Sequence, residues 1–183
     1  MGTISLEIKA RCHDPARVRE LLRSKGAFTK GLDHQIDTYF RIPFGRLKLR
    51  EGNIENALIY YRRANQKNSK QCDCALSASK NNAALKKFLK SALGVLTVVD
   101  KKREIFFIKN AKFHIDSVHK LGRFVEIEVF DRQGTGDTAK LRKQCESYQR
   151  ILGIKKKDLL ADSYSDQLLK RMRRSTFNAP RNS

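Results

Sequence analysis

Residues 4–10 read "ISLEIKA", and residues 125–129 read "VEIEV". In both, charged residues two apart alternate with aliphatic ones. A period of two is that of a β-strand, whose successive side chains point to opposite faces. Glu7 and Lys9 therefore share one face, opposite Leu6 and Ile8, and Glu126 and Glu128 share one, opposite Val125, Ile127 and Val129. Residues 46–50 repeat the pattern, with Arg46, Lys48 and Arg50 opposite Leu47 and Leu49. Strand signals fall at 3–12, 34–41, 46–51, 57–64, 71–79, 95–109, 111–117 and 122–131. An antiparallel sheet with helices on one face and water on the other produces the same alternation. The pattern alone leaves open whether these charges meet water or a ligand.

Helix signals lie between the strands. Asp14-Pro15 supplies an N-cap and a proline at the first helical position, Val18, Leu21 and Leu22 an apolar face, and Gly26 the stop. Asn82 opens a second helix with Leu85, Phe88, Leu89 and Ala92 on one stripe, ended by Gly94. A third starts near Asp137 and carries Leu141, Cys145, Tyr148 and Leu152 before Gly153, and a short fourth covers 164–173. The first two helices suggest an internal repeat. An offset of 68 takes Asp14–Gly26 onto Asn82–Gly94, the strand at 34–41 onto 102–109, and the strand at 57–64 onto 125–132. Two strand–helix–strand–strand–strand halves about a pseudo-twofold axis would place about eight antiparallel strands in one barrel.

A chain of 183 residues fits a single domain, here 1–174, followed by a polar, basic tail at 175–183 expected to be disordered. The formal net charge of +20 calls for an anionic partner. No apolar run approaches the roughly 18 residues of a membrane span, and no secretory signal is present. Four scattered cysteines fit a reduced, cytoplasmic setting better than a disulfide scaffold. Cys72 and Cys74 share a strand face, but no second Cys-x-x-Cys or His pair completes a zinc site. Two basic runs, "IKKKD" at 154–158 and "KRMRR" at 170–174, lie off the strands and point to non-specific nucleic-acid contact, or to solvated helix ends.

The charged faces are sorted by sign. The strands at 46–51 and 57–64 are cationic, the one at 122–131 is anionic, and the first is mixed. Lys101 and Arg103 share a face, as do His114 and Asp116. Closed into a barrel, this arrangement holds a cluster of cations that repel one another without anions. A polyphosphate suits the cations, and a hard divalent ion on the paired carboxylates would bridge its oxygens.

With these residues in view, the sequence resembles the CYTH, or triphosphate tunnel, proteins, and within them the class IV adenylyl cyclase-like branch, relatives of thiamine triphosphatase. The resemblance is carried by "SLEIKAR" at 5–11, "DTYF" at 37–40, "GRLKLRE" at 45–51 and "LIYYRR" at 58–63. It continues through "ALGV" at 92–95, "KKREIFF" at 101–107, "FHIDSVHKLGRFVEIEV" at 113–129 and "DSYSDQLL" at 162–169. It implies an α+β fold: a closed eight-stranded antiparallel β-barrel with helices packed outside and a triphosphate in its lumen, held with Mg²⁺ or Mn²⁺. Carried over by position, Lys9, Lys48, Arg50, Arg62 and Arg103 are the phosphate-binding cations, and Glu7, Asp116, Glu126 and Glu128 the metal ligands. His114 is the alternative to Asp116; Arg46, Arg63, Lys101 and Tyr60 are further candidates, and Arg62 and Arg63 have opposite parity. The family opens on Glu-x-Glu-x-Lys, and here Ser5 stands where its first Glu would be.

The function so implied is metal-dependent hydrolysis of the terminal phosphate of tripolyphosphate or of a nucleoside or organic triphosphate, with Lys9 orienting or deprotonating the attacking water. A ribose hydroxyl as nucleophile would instead make cyclic AMP and pyrophosphate from ATP. Hydrolysis ranks first because it demands only water and a terminal phosphate. From a different class, Ser5 and the charge outside the lumen suggest a non-catalytic binder of polyphosphate or of RNA 5′-triphosphate ends.

Overall fold

A computed structural model describes residues 5–62, 70–71, 73–78, 82–132 and 134–177. The elements are β1 (Ser5–Arg11), α1 (Pro15–Ser24), β2 (Phe28–Phe40), β3 (Arg46–Glu51), β4 (Ala57–Arg62), β5 (Lys70–Gln71), β6 (Asp73–Ala78), α2 (Asn82–Leu93), β7 (Val95–Ile108), β8 (Ala111–Val118), β9 (Gly122–Phe130), α3 (Thr138–Ile151), a 3₁₀ turn (Lys156–Asp158) and α4 (Tyr164–Phe177). Asp14 and Asp137 cap α1 and α3, each accepting a hydrogen bond from the backbone N–H three residues on, at 3.0 and 2.9 Å. Gly26 and Gly94 adopt φ of +72° and +70° past the ends of α1 and α2, where a side chain would be strained. The last helix runs four residues beyond its expected end. Residues 178–183 of the expected tail, like Cys72, lie outside the described residues.

Seven strands form a strongly curled antiparallel sheet in the order β1-β9-β8-β7-β2-β3-β4. Of the expected closed eight-stranded barrel, the described residues show this half-barrel with four helices, without closure or an eighth strand. The two-residue β5 and the six-residue β6 pair with β1 and β4 at the two ends of that order. The repeat is present in the pairing itself. Adding 68 to β1, α1, β2 and β4 lands on β6, α2, β7 and β9. Within the long β2–β7 pair, Asp33 faces Arg103 and Gln35 faces Lys101, which the offset interchanges; His34 faces Lys102, which it maps onto itself. Glu7 facing Glu128 maps in the same way onto Tyr60 facing Ala75. The pseudo-twofold axis therefore passes through the middle of the β2–β7 pair.

The outer face of the sheet is apolar where the helices cover it. Leu6, Ile8 and Ala10 of β1 join Phe113, Ile115, Val125, Ile127 and Val129 under Val18 and Leu22 of α1 and Leu141 and Cys145 of α3. Phe40 and Leu49 pack against Leu89 of α2. Each fully buried Val, Leu, Ile or Phe side chain here contributes about 1.5–3 kcal/mol, so this face commits β1, β8 and β9 to point their charged residues inward. At one end of the curl Tyr164 and Leu168 of α4 pack against Tyr39, Tyr61, Val99 and Phe124, closing that end of the interior. The helices have taken the face that excludes water, and the charged face is enclosed. Among the described residues, no helix is long and apolar enough to cross a membrane.

Candidate functional site

The concave face encloses a cavity of about 460 Å³. Among the described residues six cations line it: Lys9, Lys48, Arg50, Lys101, Arg103 and Lys112. Five carboxylates line it with them, Glu7, Asp37, Glu55, Glu126 and Glu128, and a sixth, Asp116, lies behind Arg103. The expectation that these cations depend on an external anion is corrected by the pairing, because the chain neutralises each of them. Asp37 binds Lys48 at 3.0 Å, Arg50 at 2.8 Å and Lys101 at 2.6 Å. Glu55 binds Arg50 at 3.1 Å and Lys112 at 2.7 Å. Glu126 binds Lys9 at 2.9 Å and Arg103 at 2.8 Å, and Asp116 binds Arg103 at 2.6 Å.

These partners set the protonation states. Burial alone would raise the Asp37 carboxyl, but Arg50, Lys101 and Lys48 hold it well below the usual range. Burial likewise works against Glu126, and the charges of Lys9 and Arg103 overcome it. Lys101 is the converse. Burial, with Arg50, Arg103 and Lys48 close by, pushes its ammonium far below the ordinary lysine value despite Asp37. His114 is 3% exposed, shares a hydrogen bond between Nδ1 and Glu126 Oε2 at 3.1 Å, and is lowered by burial and Arg103 to about 4.

The expected residues sort by parity. Lys9, Lys48, Arg50, Arg103, Glu7, Glu126 and Glu128 all line the cavity. Arg62 does not. It lies on the outer face of β4, exposed, with its Nε donating to Tyr60 Oη at 2.9 Å, because the inward set is Ala57, Ile59 and Tyr61. Arg63, of the inward parity, lies outside the described residues. Asp116 is 1% exposed and is not part of the cavity wall. Its two oxygens receive Arg103 and the Tyr164 hydroxyl at 2.6–2.7 Å, so it holds these side chains, while His114 faces the lumen. Of the further candidates, Lys101 is in the lumen and Arg46 binds Asp166 at 2.9 Å.

Sequence reasoning gave no role to Asp37, Lys112 or Glu55. The first two were readable, since Asp37 shares parity with Asp33 and Gln35, and Lys112 with His114 and Asp116. Glu55 sits in the β3–β4 loop and has no periodic signal. Asp33 accepts the backbone N–H groups of Ile54 and Glu55 at 2.9 and 3.0 Å, which fixes that loop against the lumen.

Glu7 and Glu128 face each other across the β1–β9 pair. Burial and the neighbouring Glu126 raise the Glu128 carboxyl, and Ser5 Oγ donates to its Oε1 at 3.0 Å. A divalent cation would relieve this crowding. Two carboxylates fit Mg²⁺ or Mn²⁺, which bind through one or two protein carboxylates and complete their shell with water and phosphate oxygens. Among the described residues no group of three or more His, Cys, Asp or Glu side chains forms a metal site by itself.

The model of the CYTH domain matches residues 3–164. The chain belongs to the CYTH family. The members of this family bind triphosphates and are largely triphosphatases and adenylyl cyclases that use divalent metals. Among solved structures this CYTH protein is similar to the PH1012 protein of Pyrococcus horikoshii OT3, with 25% identity, a TM-score of 0.74, and 88% of this chain and 98% of that one covered. It shares its fold with a candidate adenylate cyclase of Vibrio parahaemolyticus, at 17% identity and a TM-score of 0.73, covering 92% and 99%. The fold also recurs in a candidate adenylyl cyclase of Hippeastrum described as having a dominant triphosphatase activity, at 12% identity and a TM-score of 0.61, covering 93% and 95%. Among curated proteins nothing matches.

Proposed function

We propose that this CYTH protein hydrolyses the terminal phosphate of tripolyphosphate, or of a nucleoside or organic triphosphate, held in the lumen with Mg²⁺ or Mn²⁺. The observation that carries this reading is six cations around one cavity with the Glu7–Glu128 pair in its wall. Because the lumen is internally neutralised, an anion enters by exchange. Its oxygens take over donors now engaged by Asp37, Glu55 and Glu126, while Asp37 and Asp116 keep the Arg50 and Arg103 forks oriented. Donors fixed in advance stabilise charge building on the transferring phosphoryl group without reorganising, which is where most of the catalysis in such reactions arises.

Glu7 and Glu128 would hold the metal, which would supply positive charge against the phosphate. Glu126 serves it indirectly, by fixing Lys9 and Arg103. Lys9, held by Glu126 and lying 4.2 Å from the Tyr164 ring centroid, orients the attacking water. A barrel closed through an eighth strand belongs to this reading. It is supported by β5 and β6, one residue apart in the chain, pairing at opposite ends of the sheet.

Purified protein incubated with tripolyphosphate, ATP or thiamine triphosphate and Mg²⁺ or Mn²⁺ should release orthophosphate, resolved by chromatography. Cyclic AMP with pyrophosphate would replace the hydrolase by a cyclase. Binding with no product, unchanged in Ser5→Glu, would replace it by a binder. Glu128→Gln should abolish metal-dependent turnover, and full activity there would overturn the assignment of Glu128.

A further inference from the structure

Among the described residues six lumen cations are balanced in number by six carboxylates, so the described lumen holds no excess of positive charge, and basic side chains gather elsewhere. One group of them lies where three elements meet. The end of β1, the β8–β9 turn and the C-terminal half of α4 form a concavity of about 410 Å³ lined by Arg11, Lys120, Lys170, Arg171 and Arg174, with no carboxylate among its lining residues. All five are exposed. Lys170 pairs with Asp162 at 2.6 Å, and Arg171 donates to the Lys120 carbonyl. Arg11, Lys120 and Arg174 have no carboxylate partner among the described residues; Arg11 donates to the Leu121 carbonyl at 2.6 Å and lies over the Phe124 ring. The second basic run adjoins them. Leu159 bridges Ala10, which brings the exposed Lys155, Lys156 and Lys157 to the Arg11 end of β1.

We propose that this surface docks the phosphodiester backbone of nucleic acid. Basic side chains at the C-terminus of α4 alone would only complement the helix dipole. Here Arg11 and Lys120 come from other elements, and the Ala10–Leu159 bridge brings the 154–158 run to the same end of β1. A stripe of this extent exceeds what a single phosphate needs and suits a polymer with a charge at every repeat. Arginine forks match phosphate oxygens in pairs. A bilayer surface would call for an apolar face beside the cations, and Leu121 is the one apolar residue lining the concavity. The site is separate from the lumen and stands whether or not the lumen turns over a triphosphate.

The test is fluorescence anisotropy with a labelled 20-nucleotide RNA bearing a 5′-hydroxyl, which offers the lumen no terminal phosphate. Neutralising about five phosphates on a single strand gives a log–log salt slope near −3.5, so affinity should fall about 100-fold between 50 and 200 mM salt. The triple variant Arg11→Gln, Lys120→Asn, Arg174→Gln should bind at least about tenfold more weakly at 50 mM, with the slope reduced by about 2. Asn is chosen because Lys120 has φ +64°. Arg174→Glu alone, on an exposed helix face, should weaken binding and guards against misfolding of the triple variant. A charge-matched variant, Lys25→Gln, Lys87→Gln, Lys90→Gln, should retain most of the affinity. Equal loss in that variant, no RNA binding by the wild type, or patch-dependent binding to phosphatidylserine vesicles in place of RNA would each overturn the proposal.

Discussion

Asp37→Asn tests the electrostatic logic of the lumen. The Asp37 carboxylate is 2% exposed and holds three cations at 2.6–3.0 Å. At an effective dielectric constant near 20, each unit pair at about 3 Å is worth about 5 kcal/mol of attraction, most of it offset by desolvation. Removing one partner of a buried pair costs about 3–5 kcal/mol, because the remaining charge stays buried. For a chain of this length that lowers Tm by about 6–20 °C. The variant lumen then carries an extra positive charge, and a bound polyphosphate should compensate it. Thermal unfolding with and without millimolar tripolyphosphate should show a larger ligand-induced rise in the variant than in the wild type. An unchanged Tm would refute the role of Asp37 as the shared counterion. Equal ligand shifts in both proteins would refute the exchange of carboxylate for phosphate in the lumen.

Ser5→Glu places a carboxylate beside Glu128, now 3.0 Å from the Ser5 hydroxyl; without metal it should lower Tm, and Mn²⁺ should restore it and bind about tenfold tighter by calorimetry than to the wild type. Arg62→Gln should leave tripolyphosphate affinity within about twofold of wild type, whereas Arg50→Gln should weaken it by about tenfold or more, both measured by titration calorimetry. His114 gives a pH signature. Its folded value of about 4 lies below the ordinary 6.5, so the unfolded chain takes up the proton first and stability is lost as pH falls through this window. The loss at pH 5 should be about 2 kcal/mol, read from urea midpoints at pH 7 and 5, and His114→Gln should lack it.

Local rules read most of the elements directly. Period-two alternation located the strands, Asp14 and Asp137 with the following glycines bounded the helices, and the offset of 68 foretold a symmetry now visible in the β2–β7 pairing. These signals depend on neighbours two to four residues apart, which the chain carries in its order. The sense of the curl is different. Alternation places Lys48 and Leu49 on opposite faces but does not say which one water reaches. That was decided when α1, α2 and α3 buried the aliphatic face and α4 closed one end, enclosing the charges. Parity around Arg62 and Arg63 was likewise ambiguous until the register of β3 against β4 turned Tyr61 inward and Arg62 out. Counterion pairing was the least legible, since Asp37, Glu55 and Asp116 meet their cations across strands and a loop. A sequence lists charges by sign, and the distances that pair the six described lumen cations with Asp37, Glu55, Glu126 and Asp116 exist only in the folded sheet.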